Sequence, residues 1–253
     1  MLDRGMLLAP IAHRGLHDAA RGVIENTRPA FEAAIAKGYG IECDIRPAAG
    51  GMPLVFHDAA LDRLTESTGA VAALAPDKAS RLRFRNAPIT GILSFEELLT
   101  LVAGRVPVFA EIKSEWSPPD AVFVAEIARL SSTYAGRIAL MSFDPEVMTA
   151  LKELAPAIPR GIVASPHLDE RDDGDKPSPL TDTRRRSLAD LEENAAASPS
   201  FVAYDVRALP SVATDRVRGM EQLPVLAWTV RTEAQRHTAA QHADAPIFEG
   251  FEP

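Results

Sequence analysis

Short apolar runs alternate with helix-forming segments along most of this chain. The clearest helix patterns cover residues 28–38, 94–104 and 144–154, each with a proline or a capping side chain near its start. Strands that alternate with helices predict a parallel sheet, and 253 residues fit an α/β barrel of the TIM type, a (β/α)8 fold. The runs that we interpret as strands are residues 7–13, 40–46, 53–57, 107–113, 137–142, 160–164, 201–206, 225–230 and 246–249.

The third run, residues 53–57, is one strand more than an eight-stranded barrel needs. Only residues 47–52 join it to the second run, whereas a parallel crossover needs a dozen or more residues. We therefore expect it to return antiparallel to residues 40–46, as a hairpin above the barrel rim with its turn near residues 49–50. That turn would carry His57 back beside the second strand and leave eight parallel strands.

Two stretches depart from the alternation of strands and helices. Residues 58–93 show no strand–helix pattern, which indicates a small insertion after the second strand. Residues 165–200 form a charged connection rich in Pro, Asp and Ser, with one helix expected near residues 182–194. We predict a single barrel domain over residues 1–253 that contains this insertion.

The charge and the cysteine content exclude several classes of protein. Lys and Arg number 27 against 35 Asp and Glu, and the resulting charge of −8 argues against a nucleic-acid partner. A small anionic substrate stays compatible with this charge, because a bound divalent cation reverses the local field. Cys43 is the only cysteine, so an intrachain disulfide is impossible. The apolar run at 6–12 is short for a signal peptide and no run reaches the ~18 residues of a membrane span, so we expect a cytoplasmic enzyme without membrane insertion.

Acidic side chains occur where two predicted strands end. Glu42 and Asp44 are two residues apart in one strand, so both side chains point to the same face, and Glu111 and Lys113 repeat this arrangement in another. Catalytic groups of such barrels gather at the carboxyl ends of the strands. Three carboxylates there favour a site for Mg²⁺ or Ca²⁺. The alternative is an internal salt-bridge network with Lys113 and nearby arginines.

Two histidines are expected at the same rim. His13 ends the first predicted strand and His57 ends the returning one. A single histidine at a strand end is more often a hydrogen-bonded structural group, but two beside three carboxylates can supply a general base and a general acid. Arg14 offers a guanidinium fork that matches phosphate. We interpret the other histidines as surface residues, namely His17, His167, His237 and His242.

Five short motifs follow one another in the order and spacing of a known family. They are AHRG at 12–15, ENT at 25–27, ECD at 42–44, HD at 57–58 and EIK at 111–113. The stretch HDAALDRLTESTG at 57–69 and the run LAWTV at 226–230 add to the match. With these motifs the chain resembles the glycerophosphodiester phosphodiesterases, and the match is densest over residues 8–113.

The resemblance implies a role for each motif residue. In that family the two motif histidines, here His13 and His57, act as acid and base. The three motif carboxylates, here Glu42, Asp44 and Glu111, hold one divalent metal ion. The resemblance implies Mg²⁺ or Ca²⁺ at this position, and we include Mn²⁺ as a substitute.

Four further residues follow from the same resemblance. Arg14 and Lys113 are expected to contact phosphate or to steady the site. Glu25 of the ENT motif lies nearby and supports the substrate-binding side chains through hydrogen bonds. Trp228 of the late strand lines the pocket near the glycerol part of the substrate. The expected partner is therefore a small glycerophosphodiester, and the sequence leaves the oligomeric state open.

The chain departs from the family pattern at two places on the rim. Where the family usually has a Thr-Asp pair after the last strand, this chain has FEGFEP at 248–253. Where an Asn commonly follows WTV, this chain has Arg231. Both places lie beside the substrate, so they bear on substrate identity more than on the chemistry.

The motifs predict metal-dependent hydrolysis of a glycerophosphodiester to glycerol 3-phosphate and an alcohol. We expect His57 as base and His13 as acid, with the reverse division as the alternative. No Ser, Thr or Cys stands beside a base in the pattern, so the 2-hydroxyl of the substrate is the expected nucleophile. Two other functions stay open: a phosphodiesterase of lysophospholipase D type, acting on lysophospholipids, and a barrel that binds phosphodiesters without turnover.

Overall fold

Eight parallel strands close into a barrel in the computed structural model, which describes residues 1–167 and 179–253. The strands of these residues are β1 (Ile11–Ala12), β2 (Gly40–Pro47), β3 (Pro53–Val55), β4 (Val108–Ile112), β5 (Ile138–Ser142), β6 (Arg160–Ala164), β7 (Phe201–Asp205), β8 (Val225–Val230) and β9 (Ala245–Phe248). The helices are α1 (Arg28–Lys37), α2 (Pro76–Ala79), α3 (Phe95–Val102), α4 (Ala121–Thr133), α5 (Pro145–Leu154), α6 (Asp182–Ala189), α7 (Val212–Gly219) and α8 (Glu233–His242).

The sheet closes because β1 pairs in parallel with both of its neighbours. Its two residues pair with Gly40 and Ile41 of β2 on one side and with Ile247 and Phe248 of β9 on the other. The remaining parallel strands run in the order β9, β8, β7, β6, β5, β4, β2. This closed ring of parallel strands with helices between them confirms the predicted (β/α)8 barrel.

The bounds of β1 and of α6 differ from those expected. The first strand is present but shorter than the expected 7–13: residues 4–7 form a 3-10 helix capped by Asp3, and β1 begins only after Pro10, which has no N–H to donate to a ladder. The helix expected to run to residue 194 ends at Ala189, because Leu191 adopts a left-handed φ of 58°. The predicted charged connection lies partly outside the described residues.

The hairpin expected from the short 47–52 connection is confirmed. β3 runs antiparallel to the end of β2, with Ile45 opposite Val55. The turn needs glycine at Gly51, where φ is 77° and an added Cβ would lie 2.9 Å from the Val122 side chain. The returning backbone then donates from Phe56 N to the Asp44 carbonyl over 3.0 Å, so the residue after it, His57, lies beside β2.

Alternation along the strands divides apolar side chains between two layers. Ile41, Cys43 and Ile45 of β2 point outward and pack against the helices, whereas Glu42 and Asp44 point into the barrel. The inner layer is filled mostly by large apolar side chains of other strands, among them Ile11, Phe109, Met141, Phe201, Leu226 and Ile247. The Cys43 thiol is buried in the outer layer, as expected.

Residues 58–93 form a small lobe with its own core, which fits the predicted insertion. Leu61, Val71, Leu82 and Phe84 pack against Phe56 of the hairpin. Its regular structure is limited to α2 and a 3-10 turn at residues 71–73 within this stretch. That the whole of residues 1–253 forms one domain stays a prediction. In the described part of the chain, the helices all lack the length and apolar character needed to cross a membrane.

Candidate active site

Side chains from the carboxyl ends of the parallel strands meet in one cavity of ≈ 580 Å³. Because all these strands point the same way, residues that end or follow them converge at one rim. The described residues that line the cavity are His13, Arg14, His17, Glu25, His57, Arg63, Glu111, Lys113, Phe143, Ser165, His167, Asp205, Arg207, Trp228, Thr229, Arg231, Gln235 and Glu249.

The HRG segment after β1 is a sharp turn. Arg14 has a left-handed φ of 54°, and Gly15 has a φ of 78°. A Cβ at Gly15 would lie 2.9 Å from the Ala30 backbone, so only glycine fits there. This close approach to α1 aims His13 into the cavity and lets the Arg14 N–H donate to Glu42 Oε2 over 2.9 Å.

Three carboxylates form a buried cluster at the ends of β2 and β4. Glu42 and Asp44 are each 1% exposed, and one oxygen of each lies within 4.8 Å of a Glu111 oxygen. Lys113 Nζ lies 2.9 Å from Asp44 Oδ1 and 2.6 Å from Glu111 Oε1. The salt-bridge network considered from the sequence therefore exists, with Arg14 Nε 3.2 Å from Asp44 Oδ2 as its second cation.

Glu42 is the least well neutralised of the three carboxylates. Its Oε1 atom is buried without a hydrogen-bond partner in the described part of the chain. Burial, followed by repulsion from Asp44 and Glu111, raises the pKa of Glu42 well above its ordinary range. Burial also acts to raise the pKa of Asp44, but Lys113, His57 and Arg14 hold it well below its usual value. An unpartnered buried oxygen among three carboxylates fits a hard divalent cation, so the cluster could hold a metal ion.

The ENT motif supports this cluster from the loop before α1. Asn26 Nδ2 donates to Asp44 Oδ2 over 2.7 Å, and Thr27 closes the loop by donating to the Ile24 carbonyl over 2.6 Å. Glu25 accepts from Arg14 Nη1 over 2.7 Å and from Arg63 Nη2 over 2.8 Å. Burial disfavours the charge on Glu25, but the two arginines lower its pKa to about 2.

His57 is oriented by the residue that follows it. Its Nδ1 lies 2.9 Å from Asp58 Oδ1, and an ionised carboxylate can only accept, so Nδ1 donates. Arg63, from the 58–93 insertion, donates to Asp58 Oδ2 over 2.7 Å and also reaches Glu25. Burial acts to raise the pKa of Asp58, but the contacts with His57 and Arg63 keep this pKa below its ordinary value.

His13 is oriented by a carboxylate from the other end of the chain. Its Nδ1 donates to Glu249 Oε2, while Glu249 Oε1 accepts from Arg231 Nε over 2.5 Å. The two places that depart from the family pattern therefore meet in one ion pair. Burial lowers the pKa of His13, and Arg14 adds to this, whereas Glu249 acts in the opposite direction. His17 Nε2 lies 3.5 Å from the same Glu249 oxygen.

The opposite wall of the cavity is formed by β5 to β8. The rings of Phe143 and Trp228 pack edge to face with centroids 5.4 Å apart. Trp228 Nε1 is buried and has no hydrogen-bond partner among residues 1–167 and 179–253. Asp205 accepts from Ser165 Oγ over 2.8 Å and from Arg207 Nη2 over 2.7 Å. This wall thus combines an aromatic surface with a donor directed at no protein group that the structure describes.

The structure brings the nine residues singled out from the sequence to one place. The interpretation of His17 and His167 as surface residues is wrong: both are half-buried and line the cavity, because the turn at Gly15 and residues 165–167 after β6 lie at the rim. His237 is exposed on α8, as expected. Four further residues of the site were given no role from the sequence, although the quoted motifs contain three of them: Asn26, Asp58, Arg63 and Glu249. The direct succession of His57 and Asp58 was a signal for one of them.

Comparison with known proteins agrees with this geometry. Residues 13–248 match the model of the glycerophosphoryl diester phosphodiesterase family. Glycerophosphodiester phosphodiesterase 1 of Mus musculus is 28% identical over 156 residues, which are 58% of this chain and 46% of that protein. The chain therefore spans about half the length of that curated relative.

Solved structures share the fold at lower identity. A glycerophosphodiester phosphodiesterase from Agrobacterium tumefaciens has a TM-score of 0.67 and 21% identity, with 95% of both chains covered. An Oleispira antarctica phosphodiesterase in complex with the product sn-glycerol-3-phosphate has a TM-score of 0.71 and 20% identity, with 96% of this chain and 94% of that one covered. These similarities establish the barrel fold.

Proposed function

Because this chain belongs to the glycerophosphoryl diester phosphodiesterase family, we propose that it hydrolyses a small glycerophosphodiester to glycerol 3-phosphate and an alcohol. One observation carries the proposal: two histidines, each oriented through Nδ1 by a carboxylate, line a cavity that also holds a buried acidic cluster. The structural relative from Oleispira antarctica holds the product sn-glycerol-3-phosphate, which supports the same product for this chain.

Glu42, Asp44 and Glu111 are the residues that would hold the metal ion. Their donors are hard oxygens, and the unpartnered Oε1 atom of Glu42 fits a ligand to Mg²⁺ or Ca²⁺, with Mn²⁺ as a substitute. When bound, a divalent cation supplies Lewis acidity toward the phosphate and hydroxyl oxygens of a substrate. Lys113 already neutralises part of the cluster, so the site needs fewer positive charges than three bare carboxylates would.

The protein side chains handle the two proton transfers and the phosphate charge. One of His13 and His57 would take the proton of the attacking hydroxyl, and the other would protonate the departing alcohol. Arg14 and Lys113 would offset negative charge that builds on phosphorus. Glu25 supports this by fixing the Arg14 guanidinium.

The environment of His13 bears on the division of these roles. The lowered pKa of His13 favours its neutral form, in which Nδ1 donates to Glu249 and Nε2 carries a lone pair. A neutral imidazole accepts a proton, so this environment favours His13 as the base and leaves the role of the acid to His57. That is the reverse of the division first expected.

Trp228 is the residue that we assign to the glycerol part of the substrate. Its Nε1 atom is a buried donor without a partner in the described chain, which suits a substrate hydroxyl. The remaining cavity lining is largely charged and polar, with Phe143 as the other aromatic surface. Most large apolar side chains of the 58–93 insertion pack in its own core, and its exposed apolar residues are alanines. A lysophospholipid needs an apolar rim for its acyl chain, so a lysophospholipase D-type activity ranks second.

Turnover of a panel of glycerophosphodiesters and lysophospholipids, with products identified by mass spectrometry, tests the function. We expect glycerol 3-phosphate to be released from small glycerophosphodiesters in the presence of Mg²⁺, Mn²⁺ or Ca²⁺. Faster turnover of lysophospholipids would favour the second activity. If the protein bound the substrates tightly but formed no product with any of these metals, it would be a barrel that binds phosphodiesters without turnover.

A further inference from the structure

His13 and His57, the two histidines assigned to catalysis, are held in different ways. His57 is held by its sequence neighbour, Asp58. His13 is held from the far end of the chain, because Glu249, 236 residues later, accepts its Nδ1 proton. The other Glu249 oxygen accepts from Arg231 Nε. Three loops, those after β1, β8 and β9, thus meet in a chain of three side chains that ends on one imidazole.

From this geometry we propose that Glu249 is the positioning residue of His13, and that Arg231 holds Glu249 for this purpose. The inference rests on the proposed function, in which His13 exchanges a proton with the substrate. Glu249 acts through the imidazole and does not touch the reacting atoms. The pair therefore governs the rate of the chemical step more than the affinity for substrate.

The contact fixes both the tautomer and the ring orientation of His13. An ionised carboxylate can only accept, so Nδ1 carries the proton and Nε2 is left for the substrate. Nε2 lies 3.9 Å from Glu42 Oε2, so it faces the acidic cluster. The χ2 torsion of histidine has two broad wells about a half-turn apart. A ring released from Glu249 would populate both, and only one presents Nε2 to the cluster.

Glu249 has a second histidine within reach of the same oxygen, so the orientation of its carboxylate matters. His17 Nε2 lies 3.5 Å from the oxygen that binds His13. Arg231 binds the other oxygen, which limits rotation of the carboxylate and keeps Oε2 in place to accept the His13 Nδ1 proton. The Arg231 side chain is 46% exposed and that of Glu249 is 18% exposed, so the pair lies at the rim and can be altered without opening the barrel core.

Steady-state kinetics on a glycerophosphodiester that the wild type turns over test the proposal. We expect Glu249→Ala to lower kcat by about 10²-fold, in the range for disabling a general acid or base, with KM within threefold. Glu249→Gln keeps an acceptor for Nδ1 and is expected to recover at least about tenfold of that loss. A Glu249→Ala enzyme with kcat within threefold of the wild type would overturn the proposal.

A double-mutant cycle tests whether Arg231 acts on kcat through Glu249. Arg231→Ala is expected to lower kcat by about tenfold in the wild type and by less than twofold in the Glu249→Ala background, since residues that act as a unit are not additive. The matched control is the exposed pair of Glu233 and Arg236 on α8, where Glu233→Ala and Arg236→Ala leave kcat unchanged. If the two single losses in kcat multiplied in the double variant, Arg231 and Glu249 would act independently, and the proposal would be overturned.

The tautomer of His13 provides a readout that needs no turnover. Nitrogen-15 NMR of the protein, with His13 assigned by comparison with His13→Gln, is expected to show the proton on Nδ1. In Glu249→Ala the Nε2–H form should appear as well. A wild-type ring protonated only on Nε2 overturns the proposal whether or not the protein is an active phosphodiesterase. Failure of the proposed function would instead appear as absent turnover with the Nδ1–H form intact.

Discussion

Asn26 and Asp44 are joined by two hydrogen bonds that tie the loop before α1 to the acidic cluster. Asn26 Nδ2 donates to Asp44 Oδ2 over 2.7 Å, and the Asp44 N–H donates to Asn26 Oδ1 over 3.3 Å. Asn26 also adopts a left-handed φ of 55°, a conformation that asparagine tolerates better than most residues. One side chain therefore satisfies a buried carboxylate, a buried N–H and an unusual backbone conformation.

We expect Asn26→Ala to lower the free energy of unfolding by about 2–4 kcal/mol, measured by urea denaturation. The lost bonds leave a buried charge partly unpartnered, which costs about 1–3 kcal/mol, and the left-handed conformation costs alanine about 1 kcal/mol more. Asn26→Gly is the matched control, because it loses the same bonds without the conformational cost. If both variants were equally destabilised, the left-handed conformation at residue 26 would not contribute to the loss of stability.

The acidic cluster makes a prediction about metal binding. Exhaustive chelation is expected to abolish activity, and Mg²⁺, Mn²⁺ or Ca²⁺ to restore it, because Lys113 and Arg14 leave Glu42 Oε1 without a partner and cannot supply the Lewis acidity of a divalent cation. Calorimetric titration with Mn²⁺ should show one site that is weakened in Glu42→Ala, Asp44→Ala and Glu111→Ala. Glu233→Ala, on the exposed surface of α8, is the control and should bind as the wild type does.

Full activity after chelation, with the metal content measured as nil, would refute this assignment. The unfolding midpoint of each variant must be measured in parallel. Removal of Glu42 relieves repulsion in the apo protein but also removes the acceptor of the Arg14 N–H, so Glu42→Ala should be destabilised less than Asp44→Ala, which removes the partner of Lys113 and Arg14. A loss of metal binding that accompanies unfolding would say nothing about ligation, so binding is compared only among folded variants.

Much of the site follows from two elementary rules of chain geometry. The period of two along a strand separates Glu42 and Asp44 from Cys43, and the structure shows the carboxylates inside and the thiol outside. The short connection at 47–52 cannot cross over, and the structure shows the antiparallel hairpin that follows from this. Both rules act over a few residues, which is why the sequence alone was sufficient.

Glu249 could not be found in the same way, because its contact depends on closure of the barrel. Ala12 of β1 lies opposite Phe248 of β9, so the next residues in register, His13 and Glu249, become neighbours. That register is fixed by all the intervening strands. A signal was nevertheless present, since Glu249 follows the last strand as His13 follows the first.

The low pKa of Glu25 predicts a pH dependence of stability. In the folded protein this pKa is about 2, against an ordinary 4.5, so the folded state binds fewer protons than the unfolded state between these values. The stabilisation is fully present above about pH 4.5 and is lost as the pH falls toward 2. A shift of this size corresponds to up to about 3 kcal/mol.

Glu25→Gln tests this dependence by comparison with the wild type. The free energy of unfolding should be lower in the variant at neutral pH, and the difference should shrink as the pH falls from 4.5 toward 2. Urea denaturation at a series of pH values measures it. Glu96→Gln on the exposed face of α3 controls for the removal of one negative charge. A difference that is constant over this pH range would exclude Glu25 as the titrating group.

The histidine pair makes a prediction about turnover. His13→Ala and His57→Ala are each expected to lower kcat by on the order of 10²-fold or more, the usual size for losing a general acid or base. His237→Ala removes an exposed histidine of α8 and should leave kcat unchanged. A loss below about threefold at either cavity histidine would reduce that residue to a structural role.

The last prediction concerns the nucleophile. The hydroxyl of Ser165 donates to Asp205, and the Cys43 thiol is buried on the helix side of β2 with its pKa raised by burial. Neither is placed as an activated enzyme nucleophile. The 2-hydroxyl of the substrate is the attacker that we expect, because an intramolecular attack avoids much of the entropic barrier. A cyclic 1,2-phosphate of glycerol would then form first, with release of the alcohol, and water would open it.

A substrate without the 2-hydroxyl separates this route from direct attack by water. The 2-deoxy analogue should bind through its phosphate with an affinity close to that of the substrate, yet turn over at least about 10²-fold more slowly. The cyclic phosphate, supplied directly, should be opened by the wild type and much more slowly by His13→Ala and His57→Ala. Cleavage of the 2-deoxy analogue at the rate of the substrate would mean that water attacks phosphorus directly, and the histidine that accepts the first proton would then act on water.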